Sequence, residues 1–383
     1  MRVLIEGWRG ISHSYAMVNC YQILELLERD GLELYHRDLP FPNAKWNNIT
    51  NNPGLPAPLQ TLIESLPPPD QSRYDCAYSI SWPYKTPTPE AAKVLTFMTA
   101  EYGLKEIDFV GQTPNISALC AGENRIITPS SWSKMKLIEF GFPEEKVTVI
   151  SHGVNSTLYF PAGADERQSL RQQINATPEH FVFLNLGAMS RNKGIDVLIP
   201  AFIEIRRRYP QARLVMKDDK GLYGMGAADA IHQTLTAKGL TLTDEIRSSI
   251  TLISATLTLP QMRLLYGSVD AYVSPYRAEG FNLPVVEAIA CGTPVIVSDG
   301  GATDDFCDPQ TARFIRTTRI DNAKCDIPRI GYHLEPDYDS LVQQMEGALT
   351  ASPANYEVFE KGRHRLIEKL SWAACAQKLA ECF

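Results

Sequence analysis

Apolar residues in this chain gather into short runs closed by glycine- or proline-bearing turns, and a stretch of helical spacing follows most of them. Arg2–Glu6, Cys76–Ser81, Ile126–Ile127, Val147–Ile150, Phe181–Gly187, Ala212–Lys217, Ile250–Ser254, Ala271–Pro275 and Pro294–Ser298 read as strands. The run Phe181–Gly187 (FVFLNLG) is continuous rather than alternating, which marks a central strand of a parallel sheet. Helices are expected from Ser14 to Arg29, Ser133 to Phe140, Ile195 to Tyr209, Pro260 to Tyr266 and from Pro284 onward. The first buries a broad face that includes Tyr15, Val18, Tyr21, Ile23 and Leu26; in the last, Val286, Ile289 and Ala290 share a side, and Gly292 is placed to close it. Tyr356–Phe383 reads as helix with a break at Leu370-Ser371-Trp372. Two stretches fit less well. Phe109–Gly111 is only weakly strand-like, and Phe41–Pro69, rich in Pro and Asn, has no periodicity and reads as a surface excursion.

Strand, glycine loop, helix is the opening of a doubly wound α/β domain, in which ligands gather at the carboxyl ends of the strands. The first such loop, Gly7-Trp8-Arg9-Gly10, is not G-x-G-x-x-G, so a nicotinamide or flavin cofactor is disfavoured. Ser12 is placed to cap the helix after it, and His13 beside it is a candidate substrate contact.

At 383 residues the chain exceeds one ordinary core, and two or three domains are expected. A net charge of −7 argues against nucleic acid as the main partner. No apolar run reaches the ~18–20 residues of a membrane span, and no secretory leader is legible, so a cytoplasmic protein is expected. The eight cysteines contain no C-x-x-C pair and read as reduced, mostly buried thiols. The acidic groups Asp218-Asp219, Asp304-Asp305 and Asp337-Tyr338-Asp339 read as surface acids, and no metal site is expected.

The chemistry concentrates in Ala271–Gly301, AYVSPYRAEGFNLPVVEAIACGTPVIVSDGG. The loop around Gly280 leads into a helix whose first N–H groups and positive dipole end favour an anion. Glu279 stands before that loop, and Glu287 lies in the early helix. An anion cradle between two hydroxyl-binding carboxylates suits a sugar nucleotide. A second cradle follows Phe181–Gly187: Ala188-Met189-Ser190-Arg191-Asn192-Lys193-Gly194 carries two cations into a helix start.

The segment Glu279-Gly280-Phe281-Asn282-Leu283-Pro284-Val285-Val286-Glu287, within SPYRAEGFNLPVVEAIACGTPVIVSDGG, resembles the E-x7-E signature of retaining glycosyltransferases of family 4, which have the GT-B fold. Asn124–Pro161 is similar to that family's bridge between domains, and Lys193-Gly194 matches its diphosphate-binding element. Ala188 stands where the family's usual arginine would be, and Arg191 is the candidate replacement. Gln112-Thr113-Pro114-Asn115 stands where many relatives carry a histidine near the donor sugar.

The resemblance implies two Rossmann-like domains facing across a cleft: residues 1–160, completed by a last helix at 368–383, and residues 161–367. It implies transfer of a hexosyl unit from a nucleotide diphosphate sugar (UDP-, GDP- or ADP-linked) to a carbohydrate or lipid-linked acceptor, with retention and without a metal or other cofactor. Lys193, Arg191, Glu279 and His13 are the implied catalytic residues. Glu287, Gly280, Phe281, Asn282, Leu283, Gly10 and Leu257 are the implied donor contacts, Leu257 in the region where relatives pack the base. A lipid-linked acceptor would bring peripheral membrane contact. Alternatives are another GT-B enzyme, such as a sugar-nucleotide epimerase, and a non-catalytic nucleotide-sugar-binding scaffold.

Overall fold

A computed structural model describes residues 1–49, 51–87 and 90–383. The chain divides into two compact units. The first comprises Met1–Gly153, Asp321–Tyr332 and Leu370–Phe383; the second comprises Val154–Ile320 and His333–Lys369.

The first unit is built on six parallel strands: β1 (Arg2–Gly7), β2 (Glu33–Asp38), β3 (Tyr74–Ile80), β4 (Ala91–Phe97), β5 (Arg125–Thr128) and β6 (Val147–Val149), in the order β2-β1-β3-β4-β5-β6. Helix α1 (Ser14–Leu27) packs against the last helix of the chain, Trp372–Ala380, where the Tyr21 and Trp372 rings stack at 5.0 Å. His152 is buried between Phe97 and Trp372, at 5.6 and 5.7 Å, and burial pushes its pKa down to about 3. It is a neutral packing group in this unit.

The second unit carries β7 (Phe181–Leu186), β8 (Ala212–Lys217), β9 (Ile250–Ile253), β10 (Ala271–Ser274), β11 (Val295–Ser298) and β12 (Ala312–Ile315). They form a second parallel sheet in the order β12-β11-β10-β7-β8-β9. One core lies on the face covered by the helix Ile195–Arg208, where Phe183, Leu198, Phe202, Leu214, Met216 and Val273 are shut from water. Both sheets are doubly wound.

Four expectations need correction. Phe109–Gly111 is not a strand: its backbone is short 3-10 turns, and only one bridge, from Tyr84 to Phe109, has sheet character. The excursion at 41–69 contains a helix, Ala57–Glu64, started by Pro56; residue 50 of that stretch lies outside the described residues. His13, not Ser12, caps α1, with Nδ1 accepting from the Tyr15 N–H at 3.3 Å. Asp218 is not a surface acid: it is 1% exposed and accepts hydrogen bonds from the Lys220 and Ala227 N–H groups and the Ser254 hydroxyl.

Gly153, the last residue of the first unit before the chain leaves it, is fixed by close approach. A Cβ there would lie 2.2 Å from the Trp372 backbone nitrogen, and backbone cannot yield as a flexible side chain can. Gly153→Ala is expected to lower stability by about 3 kcal/mol. A denaturant melt in which Gly153→Ala matches wild type would show that the last helix is not held this closely.

Candidate active site

In the second sheet the strand order reverses between β7 and β10, and in doubly wound sheets the carboxyl ends of the strands at such a reversal are where ligands gather. The loop after β7 ends in a 3-10 turn, Arg191–Lys193, followed by Gly194 at φ +67°. A Cβ on Gly194 would sit 1.9 Å from the carbonyl oxygen of Pro275, so glycine is what lets this loop touch the one after β10. Lys193 lies against Gly187 and forms an ion pair with Glu279, which is 4% exposed.

The two loops are locked together by Arg277. Its Nε donates to Glu335 at 2.7 Å, Nη1 to the Arg191 carbonyl at 2.9 Å and to Asp196 at 2.7 Å, and Nη2 to Asp196 at 2.9 Å and Glu335 at 2.6 Å. All five guanidinium donors are used. Burial alone would depress its pKa, but the hydrogen bonds to Glu335 and Asp196 outweigh it, and Arg277 is held firmly protonated. Main chain adds to the lock, since the Arg277 N–H donates to the Asn192 carbonyl at 2.7 Å.

The helix after β10, α2 here (Leu283–Ala290), starts from Asn282 in the left-handed region at φ +78°. The Asn282 amide is buried and donates to the Ser274 hydroxyl at 3.0 Å, and the Phe281 ring packs on Phe306 at 4.9 Å. These two side chains face the protein, so what Gly280, Phe281, Asn282 and Leu283 present to a ligand is main chain at a helix start.

Glu287, one turn on, accepts from the Tyr266 hydroxyl at 2.8 Å. Burial pushes its carboxyl up to about 7, against the phenols of Tyr266 and Tyr159, which pull it down. Beneath lies Tyr272, 1% exposed, on β10. Burial raises its pKa; Lys193 lowers it, and Glu279 and Glu287 raise it further. The charges of Lys193, Glu279 and Glu287 thus all bear on this buried phenol.

The other candidates are more scattered. Arg191 contributes its carbonyl to the Arg277 lock, while its side chain is exposed. Leu257 follows the edge strand β9, two strands and roughly 10 Å from β7. Gly10 and His13 belong to the first unit. Gly10 is buried at φ +76°, with Asn48 of the excursion 3.3 Å from where its Cβ would be. His13 meets the Trp46 and Trp8 rings at 5.0 and 5.3 Å, and burial pushes its pKa down to about 4. Among the described residues no group of three His, Cys, Asp or Glu could hold a metal ion. Sequence reasoning missed Arg277, Tyr266 and Tyr272. Buried tyrosines in an apolar run are a usable signal, because each hydroxyl needs a partner.

The Glu287 carboxyl gives a stability prediction. Its pKa stands at about 7 in the folded chain, above the usual carboxylate value near 4.5, so the folded state favours the protonated form. Stability from this group is present below pH 4.5 and is lost as pH rises through 7. Glu287→Gln, which stays neutral, is expected to be the more stable protein by about 3 kcal/mol at pH 8 and by less than about 1 kcal/mol at pH 5. Urea melts at both pH values check this, and a difference that does not change with pH would contradict the assignment.

Comparison with known proteins agrees with this architecture. Residues 166–329 match the family model described as Glycosyl transferases group 1. A lipopolysaccharide 1,2-N-acetylglucosaminetransferase of Salmonella typhimurium is 27% identical over 67% of this chain and 61% of its own length. A D-inositol 3-phosphate glycosyltransferase 2 of Catenulispora acidiphila is 28% identical over 54% of this chain and 49% of its own. The matches thus span between about half and three fifths of these curated relatives. Among solved structures, Anabaena Alr3699/HepE in complex with UDP and glucose superposes with a TM-score of 0.68 at 15% identity, covering 100% of this chain and 98% of that one. WaaG, a glycosyltransferase involved in lipopolysaccharide biosynthesis, superposes with a TM-score of 0.62 at 13% identity, covering 100% and 99%. The chain therefore has the GT-B fold, and its residues 166–329 are similar to the glycosyl transferases group 1 family.

Proposed function

We propose that this protein is a retaining glycosyltransferase that moves a hexosyl unit from a nucleotide diphosphate sugar to an acceptor hydroxyl. The observation that carries the proposal is the Lys193–Glu279 ion pair at the reversal point of the second sheet, beside the start of α2 and with Glu287 one turn along. As the bond from the anomeric carbon to the diphosphate breaks, charge grows on the departing phosphate. Lys193 and the N–H groups at the helix start stabilise that charge as it develops, without a resident metal. The exposed guanidinium of Arg191 is the second cation, in place of the arginine that Ala188 replaces. Glu287 accepts from the ribose hydroxyls, Leu257 meets the base, and Glu279 holds sugar hydroxyls.

The acceptor oxygen attacks the anomeric carbon from the face the diphosphate leaves, and its proton passes to a leaving phosphate oxygen. This accounts for retention without a second nucleophilic carboxylate. Gly10 and His13 serve substrate from the first unit, His13 as a neutral imidazole. The relatives' names point to a carbohydrate or lipid-linked acceptor in glycan or lipopolysaccharide synthesis. A lipid-linked acceptor would bring the protein to a membrane surface; no helix among the described residues is long and apolar enough to cross one.

Ala188 favours a second reading, a nucleotide-sugar binder that has lost catalysis. Slow hydrolysis of the donor in the absence of acceptor would rule that reading out.

Lys193→Ala is expected to lower kcat about 100-fold or more, as loss of a group that stabilises transition-state charge does. Glu287→Ala is expected to act mainly through weaker donor binding. If both variants keep wild-type turnover and donor affinity, the site assignment is wrong. Of the three diphosphates UDP, GDP and ADP, one is expected to raise the melting temperature of the wild-type chain well above the others, identifying the base. UDP is the first to try, given the ligand of the structural relative. No stabilisation by any of them would count against a nucleotide-sugar donor.

A further inference from the structure

The second unit holds a cavity of about 860 Å³ at the other end of its sheet. Phe181, Ala271, Val295 and Ala312, the first residues of β7, β10, β11 and β12, line it. These are the amino ends of the strands whose carboxyl ends carry Lys193 and Glu279, so the cavity is separate from the donor site. Its volume is in the range of small-molecule sites, and Phe359 from the helix Pro353–Lys369 adds to an apolar wall.

One feature of the lining is chemically unfinished. Arg313, the second residue of β12, borders the cavity and lies against Gly347, where a Cβ would be 2.8 Å from its Nη1. The absence of a side chain on Gly347 makes room for the guanidinium. Elsewhere in this unit the buried and partly buried guanidiniums are engaged: Arg167 and Arg171 by Asp270, Arg206 by Glu245, Arg263 by Glu166, Arg277 by Asp196 and Glu335, Arg363 by Glu360, and Arg213 by the Ser248 carbonyl. Arg313 makes no hydrogen bond or ion pair among the described residues, and burial depresses its pKa with no nearby acid to restore it. Asp270, which also lines the cavity, is already shared by Arg167 and Arg171. A half-buried guanidinium with no protein acid on it, at the border of a chamber lined by both apolar and polar groups, leaves its donors open to one oxyanion from solution.

We propose that this cavity is a second binding site, taking a small molecule with an oxyanion head and an apolar body. The head pairs with Arg313, bidentate as guanidinium geometry favours, and the body lies between Phe181, Val295 and Phe359. Both parts are needed: the chamber offers little to a bare anion, and the guanidinium offers little to a hydrocarbon.

The test is calorimetric titration of the full chain with n-octyl phosphate, kept below its micelle-forming concentration, with inorganic phosphate and n-octanol as the two half-ligands. Octyl phosphate is expected to bind wild type saturably with one site, and each half-ligand at least about 10-fold more weakly. Arg313→Gln is expected to weaken octyl phosphate about 10-fold or more while leaving the thermal melt of the unliganded chain close to wild type, because Arg313 holds no partner whose loss would unfold anything. Ala348→Phe, which adds a ring to the cavity wall, is expected to block octyl phosphate as well. Equal binding to wild type and Arg313→Gln overturns the proposal. So does inorganic phosphate that binds as tightly as octyl phosphate, which would mark a surface anion site, and so does the absence of saturable binding to wild type at millimolar concentration.

Discussion

The loops at the carboxyl ends of β7 and β10 depend on one guanidinium. Arg277 spends its five donors on three separate pieces of chain: the Arg191 carbonyl in the loop after β7, Asp196 in the first turn of the following helix, and Glu335 on the strand Tyr332–Pro336. Loops that carry catalytic charge must be exposed at a sheet's edge yet fixed to a fraction of an ångström, and loops alone are poor at both. A buried arginine with every donor satisfied resolves this, because one side chain ties the three pieces together at once. The lock holds Lys193 where Glu279 can reach it. Gly194 completes it sterically, since any side chain there would push the two loops apart.

Near that lock, the carboxylates of Glu279 and Glu287 have different environments. Glu279 has a cation for a neighbour, so its charge is balanced. Glu287 has only phenols, and phenols share a proton with a carboxylate without neutralising it. The first is held in an ion pair, whereas the second, pushed up to about 7 by burial, responds near neutral pH to what is placed before it. Ribose hydroxyls would add donors to the charged form and draw it toward ionisation. Two glutamates of one short segment thus differ in chemistry, and the tyrosines at 266 and 159 make the difference.

That contrast explains how far sequence alone could go. The strands were legible wherever a continuous apolar run ended in glycine or a charge, as in FVFLNLG, because a parallel strand buried on both faces leaves no other pattern. The Phe109–Gly111 run failed because its apolar residues serve short turns, with Val110 57% exposed. Strand β4, AAKVLTF, was passed over since its lysine and threonine interrupt the run, although it pairs with both β3 and β5. Lys193, Glu279 and Glu287 could be picked out because a local loop-and-helix pattern surrounds each. Arg277 could not, for its partners lie at positions 191, 196 and 335, and no window of sequence contains them. Asp218 misled for a related reason: two adjacent acids look solvated until the three donors that claim one of them are folded into place.

The helix Leu283–Ala290 then gives the second unit its polarity. Its amino end lies with the lock, where N–H groups and the positive dipole end suit an anion. Its carboxyl end passes through Cys291 and Gly292, both in the wall of the apolar cavity, and Arg363 approaches the Ala290 carbonyl at 3.5 Å, a cation at the negative end. The same eight residues therefore present opposite electrostatic faces to the two ends of one sheet. The two ends of the strands differ in chemistry: the Lys193–Glu279 pair and the Arg277 lock stand at the carboxyl ends, and a cavity with aromatic and aliphatic walls, bordered by the Arg167–Asp270 pair and Arg313, stands at the amino ends. A parallel sheet allows this because all its strands point the same way, so every loop of one kind falls on one side.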